Sequence, residues 1–190
     1  MKKVCIFGGT FNPPHIGHLI MANEVFHALQ LDEIRFMPNA IPPHKDVLDL
    51  CSSEQRKEMV LLAIQPFPYF SIEPIELIRG GRSYTYDTMV DLQSKEPDTQ
   101  FSFLIGGDMM ASLESWYRID DLVKIVQLVG VKRPRYESKT KYSVIQIEVP
   151  QIDLSSTTLR KRIASHQDVS LLIPDAVQDY IRQEKLYESR

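Results

Sequence analysis

The sequence predicts an α/β fold, a doubly wound parallel sheet with helices on both faces. Three observations carry that prediction. Strand-like segments alternate with segments of helical apolar spacing along the chain. The segment Phe101 to Ile105 is almost continuously apolar, as a strand covered on both faces must be. The first strand-like segment runs into two glycines and then into a helix, a strand, loop, helix opening. In such sheets ligands bind beyond the carboxyl ends of the strands, so the loops after strands are where function is sought.

Lys3 to Phe7 is β-rich and stops at Gly8-Gly9. Gly17 to Leu29 places Leu19, Ile20, Val25, Phe26 and Leu29 at helical spacing. Glu33 to Met37 reads as a second strand. Pro38 to Lys45 follows as a loop, because Pro38, Pro42 and Pro43 lack the N–H that regular structure needs. Ser53 to Ile64 reads as a helix, with Ser52 and Gln55 at capping-box spacing, Met59, Leu62 and Ala63 on one side, and Pro66 and Pro68 ending it. Short β-like pieces at Tyr69 to Ile72 and Ile75 to Ile78 precede a helix over Thr85 to Ser94. The strand Phe101 to Ile105 is closed by Gly106-Gly107. Asp120 to Lys124 reads as helical, Val126 to Val131 and Val144 to Val149 as strands. Helices over Ser156 to Ser165 and Pro174 to Leu186 close the chain, the second with Pro at its first position.

At 190 residues the chain is one domain of ordinary size, able to bury roughly two-thirds of its unfolded surface without staples. No linker composition or internal repeat divides 1–190, and the part from about 154 onward is helical. A net charge of -3 disfavours general nucleic-acid binding. The longest unbroken apolar run, Met59 to Ile64, is far short of the roughly 20 residues of a membrane helix. The apolar stretch after Lys2-Lys3 is too short for a secretion signal, so a cytoplasmic protein is expected. Cys5 and Cys51 form neither a disulfide framework nor a metal spacing and read as inert thiols.

The chemistry concentrates in Gly8-Gly9-Thr10-Phe11-Asn12-Pro13-Pro14-His15-Ile16-Gly17-His18. Glycines let backbone N–H groups approach a ligand, and a helix start offers donors and a positive dipole end to phosphate. His15 and His18, three apart across a glycine, project from the first helical turn, where imidazoles can donate to charge growing on a nucleotide phosphate. A lone histidine here would read first as a helix-start or core residue; two in this context favour the phosphate reading. Zinc is disfavoured, since no third ligand is evident nearby.

This segment resembles the G-G-T/S-F-D/N-P-x-H-x-G-H signature of the nucleotidyltransferase superfamily, with Asn12 where many members carry Asp. Across residues 3 to 188 the chain is similar to the bacterial nicotinate-nucleotide adenylyltransferases. The resemblance implies a Rossmann-like fold and transfer of the adenylyl group of ATP to nicotinate mononucleotide. It implies Mg²⁺ accompanying ATP and no metal ligands in the protein. The implied enzyme is a monomer or homodimer without nucleic-acid or membrane partners. ATP would meet Gly8, Gly9, Thr10, Phe11, His15, His18 and Arg133. Leu154-Ser155-Ser156-Thr157-Thr158-Leu159-Arg160 resembles the family's I-S-S-T-x-[IL]-R signature. Its hydroxyls Ser155, Ser156 and Thr157 and the bidentate Arg160 suit the triphosphate. Plain N-capping by Ser155 before a solvated basic helix fits the same residues.

Pro38 to Lys45 resembles the family's P-x-x-x-P-P-H-K loop, which implies His44 and Lys45 at the nicotinate nucleotide. Gly106 and Asp108 would sit where the two nucleotides meet, the Asp108 carboxylate on ribose hydroxyls. Trp116 would stack on the pyridine ring, and backbone donors near Thr85 and Tyr117 would take the nicotinate carboxylate. The catalytic set implied is His15, His18, Lys45 and Arg160. The two phosphate motifs are common to the superfamily, so nicotinamide mononucleotide and phosphopantetheine stay open as acceptors, as does a nucleotide-binding module without turnover. An aminoacyl-tRNA synthetase, which shares the His-Ile-Gly-His element, is discounted by chain length and charge.

Overall fold

The computed structural model describes residues 1–40, 51–110, 112–132 and 140–188, and of residues 107, 108 and 132 the backbone alone. Strands β1 (Lys2–Gly9), β2 (Glu33–Pro38), β3 (Phe70–Ile72), β4 (Thr99–Ile105), β5 (Gln127–Lys132) and β6 (Val144–Glu148) form one sheet, every neighbouring pair parallel, in the order β3-β2-β1-β4-β5-β6. The chain lays β2 and β3 outward on one side of β1, then returns to its other side for β4, β5 and β6. The winding therefore reverses between β1 and β4, and the crevice at such a reversal is where doubly wound sheets take ligands. Gly8 is level with Met37 and Phe7 with Leu104, so the loops after β1, β2 and β4 leave from one rim.

β1 is buried from Val4 to Phe7, and its side chains alternate between two cores. Cys5 and Phe7 join a core shared with α1 (Ile16–Ala28), α2 (Ser53–Ile64), α7 (Ser156–Ala164) and α8 (Asp175–Gln183) through residues such as Val25, Met59, Leu159 and Val177. Val4 and Ile6 face the other core. It is built with α3 (Ile75–Arg79), α4 (Thr85–Lys95), α5 (Gly107–Met110) and α6 (Ile119–Ile125), among them Ile75, Met89, Met110 and Leu122. Ile6 and Phe36 are wholly buried, and each such side chain contributes about 1.5–3 kcal/mol. Among the described residues no helix is long and apolar enough to cross a membrane.

The layers are those the alternation predicted, with one local exception. Ile75 to Ile78 reads as β-like but is the helix α3, because Pro74 starts a turn, Ile75 and Glu76 are buried, and Ile78 stays 80 % exposed. β propensity is context-dependent and yields here to the packing that surrounds the segment. The capping box of α2 forms as read: Gln55 N–H donates to Ser52 Oγ at 3.2 Å and Ser52 N–H to Gln55 Oε1 at 3.0 Å. Pro174 stands one place before α8 rather than within it, and that helix ends at Gln183 rather than Leu186. α5 and a 3-10 turn at Leu113–Ser115 carry too few residues for a periodic signal. Burial pushes the Cys5 thiol up to about 12 and raises that of Cys51, which keeps both thiols protonated and unreactive at neutral pH.

Candidate active site

The rim above β1 is shaped by close packing. A Cβ on Gly9 would stand 2.8 Å from a ring carbon of Phe11, so only glycine lets the chain leave β1 over that ring. Phe11 takes a left-handed backbone (φ 50) that turns its ring into the core. There it meets Phe7, Phe36 and His18 at centroid distances of 5.4, 5.6 and 5.1 Å. What Phe11 offers outward is its backbone. α1 then starts on His15, whose backbone N–H donates to His18 Nδ1 at 3.2 Å, while the two imidazoles stack with centroids 3.7 Å apart. With Nδ1 accepting, a neutral His18 carries its proton on Nε2, which makes that atom a donor. A Cβ on Gly17 would come within 3.1 Å of the His15 ring, so a side chain between the histidines would press on the stacked ring.

The second motif docks on the first across 143 residues of sequence: Ser156 Oγ donates to the Pro13 carbonyl at 2.9 Å. Arg160 Nη1 donates to the Asn12 carbonyl at 3.0 Å and its Nη2 lies 3.5 Å from Thr157 Oγ1. Ser155 Oγ caps α7 by accepting from Thr158 N–H at 3.2 Å, so that hydroxyl serves the helix start. Two further ties come from the C-terminal part. Ile16 N–H donates to the Leu172 carbonyl at 3.0 Å, and Tyr187 Oη donates to Asn12 Oδ1 at 2.7 Å. A cavity of about 30 Å³ lies beside His15 and Gly17, walled by Met21, Val131, Val149, Pro150 and Ile152.

On the other face, Gly106 follows β4, and among the described residues nothing lies within 4 Å of where its Cβ would stand. Trp116 is half-buried and meets Phe103 edge-on at 6.1 Å. Phe103 also touches Gly8, whose added Cβ would lie 2.8 Å from its ring. Thr85 opens α4, and Tyr84 just before it packs on the half-exposed Tyr117 at 4.8 Å. The fold thus gathers Gly106, Trp116, Tyr117 and Thr85 on one side of the crevice, and His15, His18, Ser156 and Arg160 on the other. Asp108 lies in α5, and its side chain is outside the described atoms. His44, Lys45 and Arg133 fall in 41–50 and 133–139, outside the described residues. Among the described residues no group of three or more His, Cys, Asp or Glu side chains gathers where it could hold a metal ion.

Sequence reasoning passed over Arg56 and read Asn12 only as a variant standing where many superfamily members carry Asp. Asn12 is 2 % exposed and joins the first loop to Cys51 N–H at 3.4 Å as well as to Tyr187. Arg56 is 1 % exposed on the buried side of α2, and burial lowers its pKa. The available signal was its spacing, three, four and seven residues ahead of the buried Met59, Val60 and Ala63. A charge on an apolar helix face requires partners, but the pattern does not say which.

The Cytidylyltransferase-like family model matches residues 6–162. The chain is 51 % identical over 189 residues to a protein of Bacillus cytotoxicus named a probable nicotinate-nucleotide adenylyltransferase, with 100 % of both chains covered. It is 49 % identical over 189 residues to the nicotinate-nucleotide adenylyltransferase of Bacillus subtilis, again with 100 % of each covered. A similar fold occurs in a solved Plasmodium falciparum nicotinic acid mononucleotide adenylyltransferase complexed with NaAD, at a TM-score of 0.81, 22 % identity and 98 % coverage of both chains. The chain belongs to the cytidylyltransferase-like family and, within it, to the nicotinate-nucleotide adenylyltransferases.

Proposed function

We infer that this chain transfers the adenylyl group of ATP to nicotinate mononucleotide, forming nicotinate adenine dinucleotide (deamido-NAD) and pyrophosphate in NAD biosynthesis. The observation that carries the reading is the His15–His18 pair at the start of α1, with His18 Nδ1 engaged by the His15 N–H at 3.2 Å. That bond aims a donor from the rim where phosphate is favoured. An oxygen of the acceptor's 5′-phosphate attacks the α-phosphorus of ATP, and the bond to the bridging oxygen breaks with its electron pair leaving on pyrophosphate. The attacking phosphate is already ionised, so no general base and no covalent intermediate are needed. Catalysis is then positioning plus charge stabilisation.

In this reading the backbone of Gly8 to Phe11, with His15 and His18, meets the ATP phosphates, and His18 Nε2–H donates to the α-phosphate. Ser155, Ser156, Thr157 and Arg160 flank the β and γ phosphates from α7, and Arg133 serves the same nucleotide. Adenine takes the seam beside His15 and Gly17, which a flat ring must widen beyond its 30 Å³. Nicotinate mononucleotide takes the opposite side. Trp116 stacks on its ring, backbone donors near Thr85 and Tyr117 face its carboxylate, Gly106 and Asp108 lie at the ribose, and His44 and Lys45 at the phosphate.

Mg²⁺ fits this donor set as a passenger of the triphosphate. It prefers oxygen ligands, keeps several waters and binds nucleotide phosphates in preference to an all-protein cage. Held through the phosphates that His18 and Arg160 contact, it would neutralise charge on the phosphoryl oxygens. One nucleotidyltransferase domain acting in the cytoplasm completes the reading.

The test is pyrophosphate release from ATP and Mg²⁺ with nicotinate mononucleotide, nicotinamide mononucleotide and phosphopantetheine in parallel. Strong preference for the nicotinate form is expected. Turnover with another acceptor alone would overturn the roles of Trp116 and Thr85, and silence with all three would leave a binding module.

A further inference from the structure

Arg56 places a full charge in the interior with neutral partners. Its Nη1 donates to the Thr10 carbonyl at 3.0 Å and lies 3.4 Å from Asn39 Oδ1. Its Nη2 donates to the carbonyls of Asn39 and Ala40 at 2.7 and 3.1 Å and lies 3.4 Å from Ser53 Oγ. Thr10 belongs to the loop after β1, Asn39 and Ala40 to the chain leaving β2. Three carbonyl oxygens from two loops thus converge on one planar fork, whose geometry holds several acceptors at fixed angles as no other side chain can. The Ala40 peptide is gripped from its other end as well, since its N–H donates to Ser83 Oγ at 3.2 Å, two residues before Thr85. Thr10, Arg56, Ala40 and Ser83 form one line of contacts across the rim. An ordinary apolar residue would fill the same volume without the cost of burying a charge.

We propose that Arg56 is a positioning residue that fixes the spacing between the loop carrying ATP and the segment leading to the acceptor nucleotide. This inference rests on the reaction proposed above, in which the loop after β1 serves one substrate and the chain beyond β2 the other. Arg56 touches neither substrate and acts through the Thr10 and Ala40 backbone. Each nucleotide binds largely to its own side of the crevice, whereas turnover needs both in line. Loss of the fork therefore affects kcat more than either KM.

The test compares wild type with Arg56→Lys and Arg56→Met, measuring pyrophosphate release with the best wild-type acceptor, KM for each substrate, and Tm. Lysine keeps the charge but not the fork. Arg56→Lys is expected to lose about a hundredfold in kcat with each KM within about threefold, the cost of a misplacement of roughly 1 Å. Arg56→Met fills the volume with no donor, so its kcat should fall at least as far as that of Arg56→Lys. A merely structural role would lower Tm and leave kcat per folded molecule intact; that result, or a loss confined to KM, overturns the proposal. If Arg56→Met does not fold, the kcat and KM of Arg56→Lys decide alone. A wild type inert with every acceptor would overturn the proposed reaction and this inference together, whereas an active wild type with an equally active Arg56→Lys would overturn this inference only.

Discussion

The side chain on which the chemistry turns is His18, and its usefulness comes from a bond it accepts rather than one it gives. Because the His15 N–H occupies Nδ1 at 3.2 Å and the Phe11 ring stands edge-on at 5.1 Å, the imidazole has one tautomer and one orientation before substrate arrives. A donor preset in this way costs no reorganisation when charge develops. His18→Ala should lower pyrophosphate-release kcat by about a hundredfold or more, roughly 3 kcal/mol of transition-state stabilisation. Its Tm should stay close to wild type, since the ring is only half-buried. Wild-type turnover in the folded variant would remove His18 from the mechanism. The identity of this residue was legible in the H-x-G-H spacing. Its tautomer was not, because that depends on a backbone N–H three residues back and on a ring buried by a left-handed turn at Phe11.

Between elements, the segment after β1 is held mainly by parts of the chain remote in sequence. Ser156 and Arg160 of α7, the Leu172 carbonyl and Tyr187 beyond α8 all bond to residues 12–16. Helix patterning exposed α7 and its cap because Ser155 and its neighbours are local signals. It carried α8 on to Leu186, although the chain leaves the helix after Gln183 and turns back through left-handed residues at Lys185 and Tyr187. That return is dictated by a partner, Asn12, and no local propensity encodes it. The Ile75 to Ile78 misreading has the same origin, since burial of Glu76 against Thr88 overrides β propensity there. Tyr187→Phe removes the 2.7 Å donor to Asn12 Oδ1 and leaves the weaker Cys51 N–H at 3.4 Å. The expected cost is about 1–2 kcal/mol, a Tm lower by about 2–8 °C for a chain of this size. An unchanged Tm in a thermal melt would show that the C-terminal return does not secure this loop.

For the molecule as a whole, carboxylates at layer boundaries set opposing pH dependences. Arg35 of β2 donates to Glu96 beyond α4 at 2.9 Å and lies 3.3 Å from Glu73, while Lys2 pairs with Glu33 at 2.6 Å. Arg35 holds the Glu96 carboxyl below its usual range; at Glu33, burial opposes ionisation but Lys2, Ser71 and Arg35 outweigh it. Both groups have depressed folded values, so they stabilise the fold above the ordinary carboxylate pKa. That contribution is lost as pH falls through their folded values. Glu76 of α3 behaves oppositely. Burial raises its pKa, only partly offset by hydrogen bonding to Thr88 and Ser83 and by the Arg79 charge. Its contribution is full below the ordinary carboxylate value and is lost as pH rises through the folded value. Glu76→Gln keeps the size and an acceptor for the Thr88 hydroxyl but has no charge to desolvate. The Tm of Glu76→Gln relative to wild type should therefore climb as pH is raised from about 4.5 to 8, whatever the constant offset from the new amide, while the acid limb set by Glu33 and Glu96 stays in place. Parallel Tm curves for the two proteins over that range would mean that Glu76 ionises as readily in the fold as out of it, and that the α3–α4 boundary carries no buried charge cost.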